Sequence, residues 1–230
     1  MNLSVVCGGR SKAGRRVFCL MRAVMSTLAA VVGSAPVTSL IACVALLLQA
    51  CPPLQPAAEF SFADLCVTES WRLATCHLLH WSWDHFLWDA VVLVVAGAFC
   101  ERLWFRQFLC VLVTAALLIP TVVMISAPHL LCYRGLSGVD SALFALAAGS
   151  VLIEEAVAGR RLAAFAATVV VTAQFLKIGI ESAAGHTLFV QDGSFTPVPL
   201  AHLCGAVIGS LGAVCRRPSR TATSNPQTEP

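Results

Sequence analysis

QFLCVLVTAALLIPTVVMIS, residues 107–126, is a run of twenty residues without one charged side chain. About 20 apolar residues are what an α-helix needs to cross the hydrocarbon core of a bilayer. The same character extends to the whole chain. Apolar residues of the AVILMFWYC set make up 58% of its 230 residues and DEKR only 12%, and the mean hydropathy is +0.81. Soluble domains carry about 25% charged residues. At half that fraction a water-facing surface cannot be covered, so a soluble globular domain is excluded. Disorder is excluded too, because disordered chains are poor in apolar residues and rich in charge. The net charge of +3 is too small to argue for nucleic acid, and no nucleotide-binding glycine loop occurs.

Five further apolar stretches flank this run, at residues 37–52, 83–99, 138–153, 162–178 and 199–215. None alternates apolar with polar as barrel strands do, so the expected architecture is an all-α membrane protein with six transmembrane helices. Basic residues set its orientation. Twelve of the 15 Lys and Arg fall in the N-terminal segment, in the second and fourth connections, or after the last stretch; only Arg72, Arg134 and Lys177 lie toward the other side. The positive-inside rule therefore places both termini in the cytoplasm. The expected organisation is a basic cytoplasmic segment over residues 1–30, a membrane domain over 31–215 and a disordered cytoplasmic tail over 216–230. The basic region is too spread for a signal peptide, and the upstream region is too long for LLQAC at Cys51 to be a lipoprotein cleavage site.

Of the 11 cysteines, Cys43, Cys100, Cys110, Cys204 and Cys215 read as small apolar packing residues. Cys66, Cys76 and Cys132 map to the outer side, where a disulfide is chemically permitted.

Ionisable residues in or beside spans are expensive and default to functional candidates. Three clusters map to the outer half. WRLATCHLLHWSWDHFLWD, residues 71–89, holds His77, His80 and His85, with Asp89 one turn after His85. Its Trp71, Trp81, Trp83 and Trp88 suit an interfacial aromatic belt. YRGLSGVDSALF, residues 133–144, sets Ser137 between Gly135 and Gly138 at the start of a helix, where free N–H groups and the positive dipole end favour negative charge. Ser137 could equally be a plain helix cap. If that helix covers only residues 138–153 it is ~24 Å long against a ~30 Å hydrocarbon core, so Ser137 is expected several Å below the outer surface. PLAHLCGAVIGSLG, residues 199–212, carries His202 ahead of Gly205 and Gly209, a G-x-x-x-G that admits a close neighbour.

Together the three clusters resemble the rhomboid family of intramembrane serine proteases. His80-WSWD-His85-FLW-Asp89 is similar to that family's second-helix motif, Gly135-Leu136-Ser137-Gly138 to its G-x-S-G, and Ala201-His202-LC-Gly205-AVI-Gly209 to its sixth-helix motif. Trp71-Arg72 looks like the W-R element of its first outer loop. The HWSWDHFLWD flavour is most similar to the rhombosortase-type branch, thought to process proteins with a glycine-rich C-terminal sorting segment. Asp89 stands where the family usually has Asn; a carboxyl that kept its proton would donate a hydrogen bond much as Asn does. Ser141 stands where an aromatic often packs on the histidine.

The resemblance implies a Ser137–His202 dyad without a third acid. It also implies an oxyanion site formed by the Ser137 N–H and His85, supported by Asp89 and Gly135, and helix packing through Gly138, Gly205 and Gly209. No cofactor or metal is implied. The partners are transmembrane protein substrates and the lipid bilayer, admitted beside residues 165–180. The expected location is the cell inner membrane with the site opening to the periplasmic side. Two other readings compete. One is a metal-binding or transport protein using His77, His80, His85 and Asp89; the other is a non-catalytic rhomboid-like protein that only binds membrane helices.

Overall fold

The computed structural model describes residues 33–61, 69–127, 130–188 and 198–216. The expectations for residues 1–30, and for the tail beyond Arg216, lie outside the described residues, as does Cys66.

Helix α1 (Pro36–Ala50) starts the described chain. Its first free N–H groups, on Val37 and Thr38, donate to the two carboxylate oxygens of Glu101 at 2.9 and 2.8 Å. A buried carboxylate thus caps the positive helix end from more than sixty residues away in sequence. After Cys51 the chain bends by 106° into a short turn and α2 (Gln55–Ala58). Strand β1 (Phe60–Ser61) follows, and then α3 (Arg72–Thr75), which runs into a 3₁₀ turn over Cys76–Leu78.

The second apolar stretch is longer than expected and is not one regular helix. It comprises α4 (Trp83–Val92), a wider π turn (Leu93–Gly97) and α5 (Ala98–Leu103). Then come α6 (Phe105–Ser126), β2 (Cys132–Tyr133), α7 (Ser137–Val157), α8 (Arg161–Ala184) and α9 (Pro199–Val214). Helices α6, α7 and α8 are long and apolar enough to cross a membrane, and α1 with its bent continuation makes up to four. Helix α9 is shorter but apolar.

Two expectations change. Helix α7 does not stop at residue 153 but runs through Glu154 and Glu155 to Val157, giving 21 residues and ~32 Å. The short-helix argument for a sunken Ser137 therefore fails. Arg216 is not the first residue of a loose tail. It is 5% exposed, pairs with Glu154 at 2.7 Å and lies over the Trp104 ring at 4.6 Å. This contact gathers the basic segments around residues 102–106, 154–161 and 216 at one end of the bundle.

At the opposite end the outer segments are stitched together. Strands β1 and β2 pair antiparallel, with Phe60 opposite Tyr133 and Ser61 opposite Cys132. Arg134 bonds Glu59 (2.7 Å) and Gln55 (3.2 Å) and stacks on Trp81 at 4.6 Å. Arg72 donates to the carbonyls of Pro56 and Glu59 at 2.7 and 2.8 Å. Trp71, Trp81, Trp83 and Trp88 are all exposed, as an interfacial belt requires.

The core is α7 wrapped by α4–α6, α8 and α9. Its tightest seam is α7 on α9. A Cβ placed on Gly205 or Gly209 would run into the carbonyls of Gly138 and Ala142 on α7, so these backbones touch directly. Cys76 and Cys132 are free thiols. Of the cysteines assigned to packing only Cys100 is buried, while Cys43 and Cys110 sit exposed on helix surfaces and Cys215 is exposed just past the end of α9.

Candidate active site

Ser137 is the first residue of α7, preceded by Leu136 as cap residue, and no side chain caps this helix. The plain-cap reading of Ser137 is thereby removed. Its approach is shaped by Gly135, whose φ of +125° is a left-handed value that side-chain-bearing residues avoid. A Cβ there would also press on His85 at 3.1 Å. Gly135 is held from behind. Its N–H donates to Cys76 O at 3.3 Å, and its carbonyl lies 3.2 Å from His77 Nδ1.

The other ring nitrogen of His77 lies 3.1 Å from Ala116 O. Both nitrogens are thus directed at backbone carbonyls, and neither is presented to a metal shared with its neighbours. Among the described residues, no group of three His, Cys, Asp or Glu is placed to hold a metal ion. The site instead shows His80 Nε2 and His85 Nε2 converging on one Asp89 oxygen, Oδ2, at 3.3 and 3.4 Å. The two rings meet edge to face. Ser82 accepts from the backbone N–H of His85 at 3.2 Å and so starts α4 at the right place.

His202 lies on the first turn of α9, and Gly138 and Gly205 bring that turn against the start of α7. A Cβ on Gly138 would lie 3.2 Å from Ala201 O, the residue before His202. One cavity of about 880 Å³ is lined by Ser137, His202, His85 and Asp89. Trp88, Val92, Phe144 and Val170 extend its wall to the flank between α4 and α8. Asp140 and Tyr133 also line it, and the two Asp140 oxygens and the Tyr133 hydroxyl are buried without a protein partner. Buried polar groups of this kind demand hydrogen bonds that solvent or a bound peptide can supply.

Sequence reasoning missed Glu181. It lies on α8, 1% exposed, and its Oε2 takes His202 Nδ1 at 3.0 Å and Lys177 Nζ at 2.8 Å. Its Oε1 accepts the Leu188 N–H at 3.0 Å. An acid and a base one turn apart in an apolar span were the available signal, since charges in a membrane helix are kept only where they are paired or used. The expectation of a histidine without an acid partner is corrected here. Gln174 of the same helix donates to Ser141 O at 2.8 Å, and Ser141 Oγ donates to Ser137 O at 2.8 Å. The Ser141 carbonyl thus ties α7 to α8, while its hydroxyl bonds back within α7 and leaves no aromatic to pack on the histidine.

A Rhomboid domain model matches residues 67–219, two thirds of the chain and all of this site. The chain belongs to the rhomboid family. Rhomboids are generally intramembrane serine proteases that act on membrane proteins within the bilayer, and the apolar helices here are those of a multi-pass membrane protein. No curated protein matches the chain.

Proposed function

We propose that this rhomboid is an active intramembrane serine endopeptidase, with Ser137 as nucleophile and His202 as general base. The observation that carries the reading is the glycine-mediated contact of α7 with α9. It packs the start of one helix, where Ser137 stands, on the first turn of the other, which carries His202, and both side chains line the same cavity. Ser137 Oγ attacks the scissile carbonyl while His202 takes its proton. His202 then protonates the leaving amine, and a water completes deacylation. The oxyanion is held by the Ser137 N–H at the α7 N-terminus and by His85, with Asp89 and Gly135 supporting the ring. Preorganised donors of this type contribute a factor of ~10²–10³ each.

The substrate is a membrane-anchored protein whose helix unwinds locally to reach Ser137. Support comes from the cavity's apolar flank between α4 and α8, which faces the space a lipid-embedded segment would occupy. Likeness of HWSWDHFLWD to the rhombosortase-type branch favours substrates with a Gly-rich C-terminal anchor. Six crossings with both termini cytoplasmic, in a cell inner membrane, are the arrangement that the clustered basic segments support. In that orientation the site opens to the periplasmic side.

The test is cleavage of a membrane substrate, with and without a Gly-rich anchor, by wild type and by Ser137→Ala, His202→Ala and the double variant. Each single change should abolish cleavage in folded protein, and the double variant should be hardly worse, since the pair acts as a unit. Residual activity falling additively in the double variant would refute the pairing.

A further inference from the structure

Helix α8 touches its neighbours along a narrow stripe. Its buried residues are Ala167, Gln174, Ile178 and Glu181, and at the outer end of that stripe the contact is ionic. Glu181 collects three donors on two oxygens: Lys177 and His202 on Oε2, the Leu188 N–H on Oε1. Three of its roughly four lone-pair sites face donors, one of them the Lys177 ammonium at 2.8 Å. The arrangement therefore suits a carboxylate, and Lys177 supplies the compensating charge that makes a buried carboxylate tolerable.

The consequence for His202 follows from donor and acceptor chemistry. A carboxylate only accepts, so Nδ1 facing it must carry the hydrogen. In neutral imidazole the other nitrogen is then a bare acceptor. Since Nδ1 is occupied by α8, Nε2 is the nitrogen left for the cavity that Ser137 also lines. A serine hydroxyl needs such an acceptor to lose its proton.

We propose that Glu181 is the positioning residue of this site: it fixes His202 in the Nδ1–H tautomer and makes the catalytic unit Ser–His–Glu rather than Ser–His. This rests on the hydrolase reading only for its consequence in rate; the hold on the ring is a property of the fold. Because Glu181 belongs to α8 and His202 to α9, the base is set only while these helices are docked at their outer ends.

The experiment uses the full chain in lipid nanodiscs with ¹⁵N-labelled histidine, the His202 signals being assigned by their loss in His202→Ala. Wild type should show neutral His202 protonated at Nδ1. Glu181→Gln offers one acceptor oxygen to three donors, so the Nδ1–H population should fall, and fluorophosphonate labelling of Ser137 should slow by on the order of 10²–10⁴. Glu181→Asp should restore part of both. Lys177→Met, which leaves the carboxylate in place, should slow labelling by less than Glu181→Gln does.

An Nε2–H tautomer in wild type overturns the proposal. So does a Glu181→Gln variant with unchanged tautomer and unchanged labelling. If Glu181→Gln fails to fold, the wild-type spectrum decides alone. Wild type with the Nδ1–H tautomer but no labelling at Ser137 would sink the hydrolase reading while upholding the role of Glu181 on the ring.

Discussion

Gly205→Ala probes the seam on which the site depends. A Cβ at Gly205 would lie 3.0 Å from the Gly138 carbonyl carbon, closer still to its oxygen, and 3.2 Å from Ala142 N. Carbon atoms prefer about 3.5–4.0 Å, so the α9 backbone must retreat by at least about 0.5–1 Å. The obstructing atoms are backbone and have no rotamer by which to yield. Overpacking of this kind costs about 1–3 kcal/mol. The chemical cost is the larger one, because Gly138 is joined to Ser137 and Gly205 stands three residues after His202. Their side chains separate by most of that retreat, and a misplacement of ~1 Å can cost ~10²-fold in rate. The assay pairs thermal unfolding in detergent with the rate of fluorophosphonate labelling at Ser137. Two substitutions serve as internal comparisons. At Gly212 the nearest atom is a methyl of Val111, a side chain that can turn aside, so Ala there should lose less. At Gly179 nothing lies within 4 Å, so Ala should be neutral or stabilising, as helix propensity favours it over Gly. Wild-type labelling and stability in Gly205→Ala would refute the direct α7–α9 contact. Equal losses at Gly205 and Gly179 would show that the effect is not steric.

Two further outcomes follow from groups flanking the cavity. Burial pushes the Glu59 carboxyl up, but hydrogen bonds from Arg134 and Cys132 and the charges of Arg134 and Arg72 outweigh it, so the group lies below its ordinary value of 4.5. A depressed value in the folded state means the Glu59–Arg134 pair contributes fully above that ordinary value and is lost as pH falls through the lowered one. The stability gap between wild type and Glu59→Gln, about 0.5–1 kcal/mol at neutral pH for a half-buried pair that solvent still screens, should close on acidification; a gap independent of pH would refute the ion pair. Asp89→Asn should support cleavage, since a carboxamide can accept from one of the two imidazoles converging on Oδ2 and donate to the other. Loss of activity in Asp89→Asn at every pH, in folded protein, would show that the charge itself is required.

Membrane class, helical architecture and the serine and histidine of the proposed site are read from local properties of this chain, and its sequence alone points to them. Hydropathy over some twenty residues is a sum over neighbours, and G-x-S-G and A-H-x-x-G-x-x-x-G each fit within three helical turns. Helix ends were less legible, for a physical reason. Apolar runs stop at the first charge, but a helix continues where the charge finds a partner, as Glu154 does with Arg216 and Glu181 with Lys177. Partners distant in sequence were decided only by tertiary structure. Glu101 capping α1, His77 holding Gly135 by its carbonyl, and two histidines meeting on Asp89 are juxtapositions set by how the helices pack. Glu181 is the sharpest case. Along the chain it is half of an i, i+4 pair with Lys177, a pattern that ordinarily marks a solvated helix face. Only the docking of α8 against α9 carries its carboxylate to His202, 21 residues away, because a pair across two helices has no periodicity to betray it.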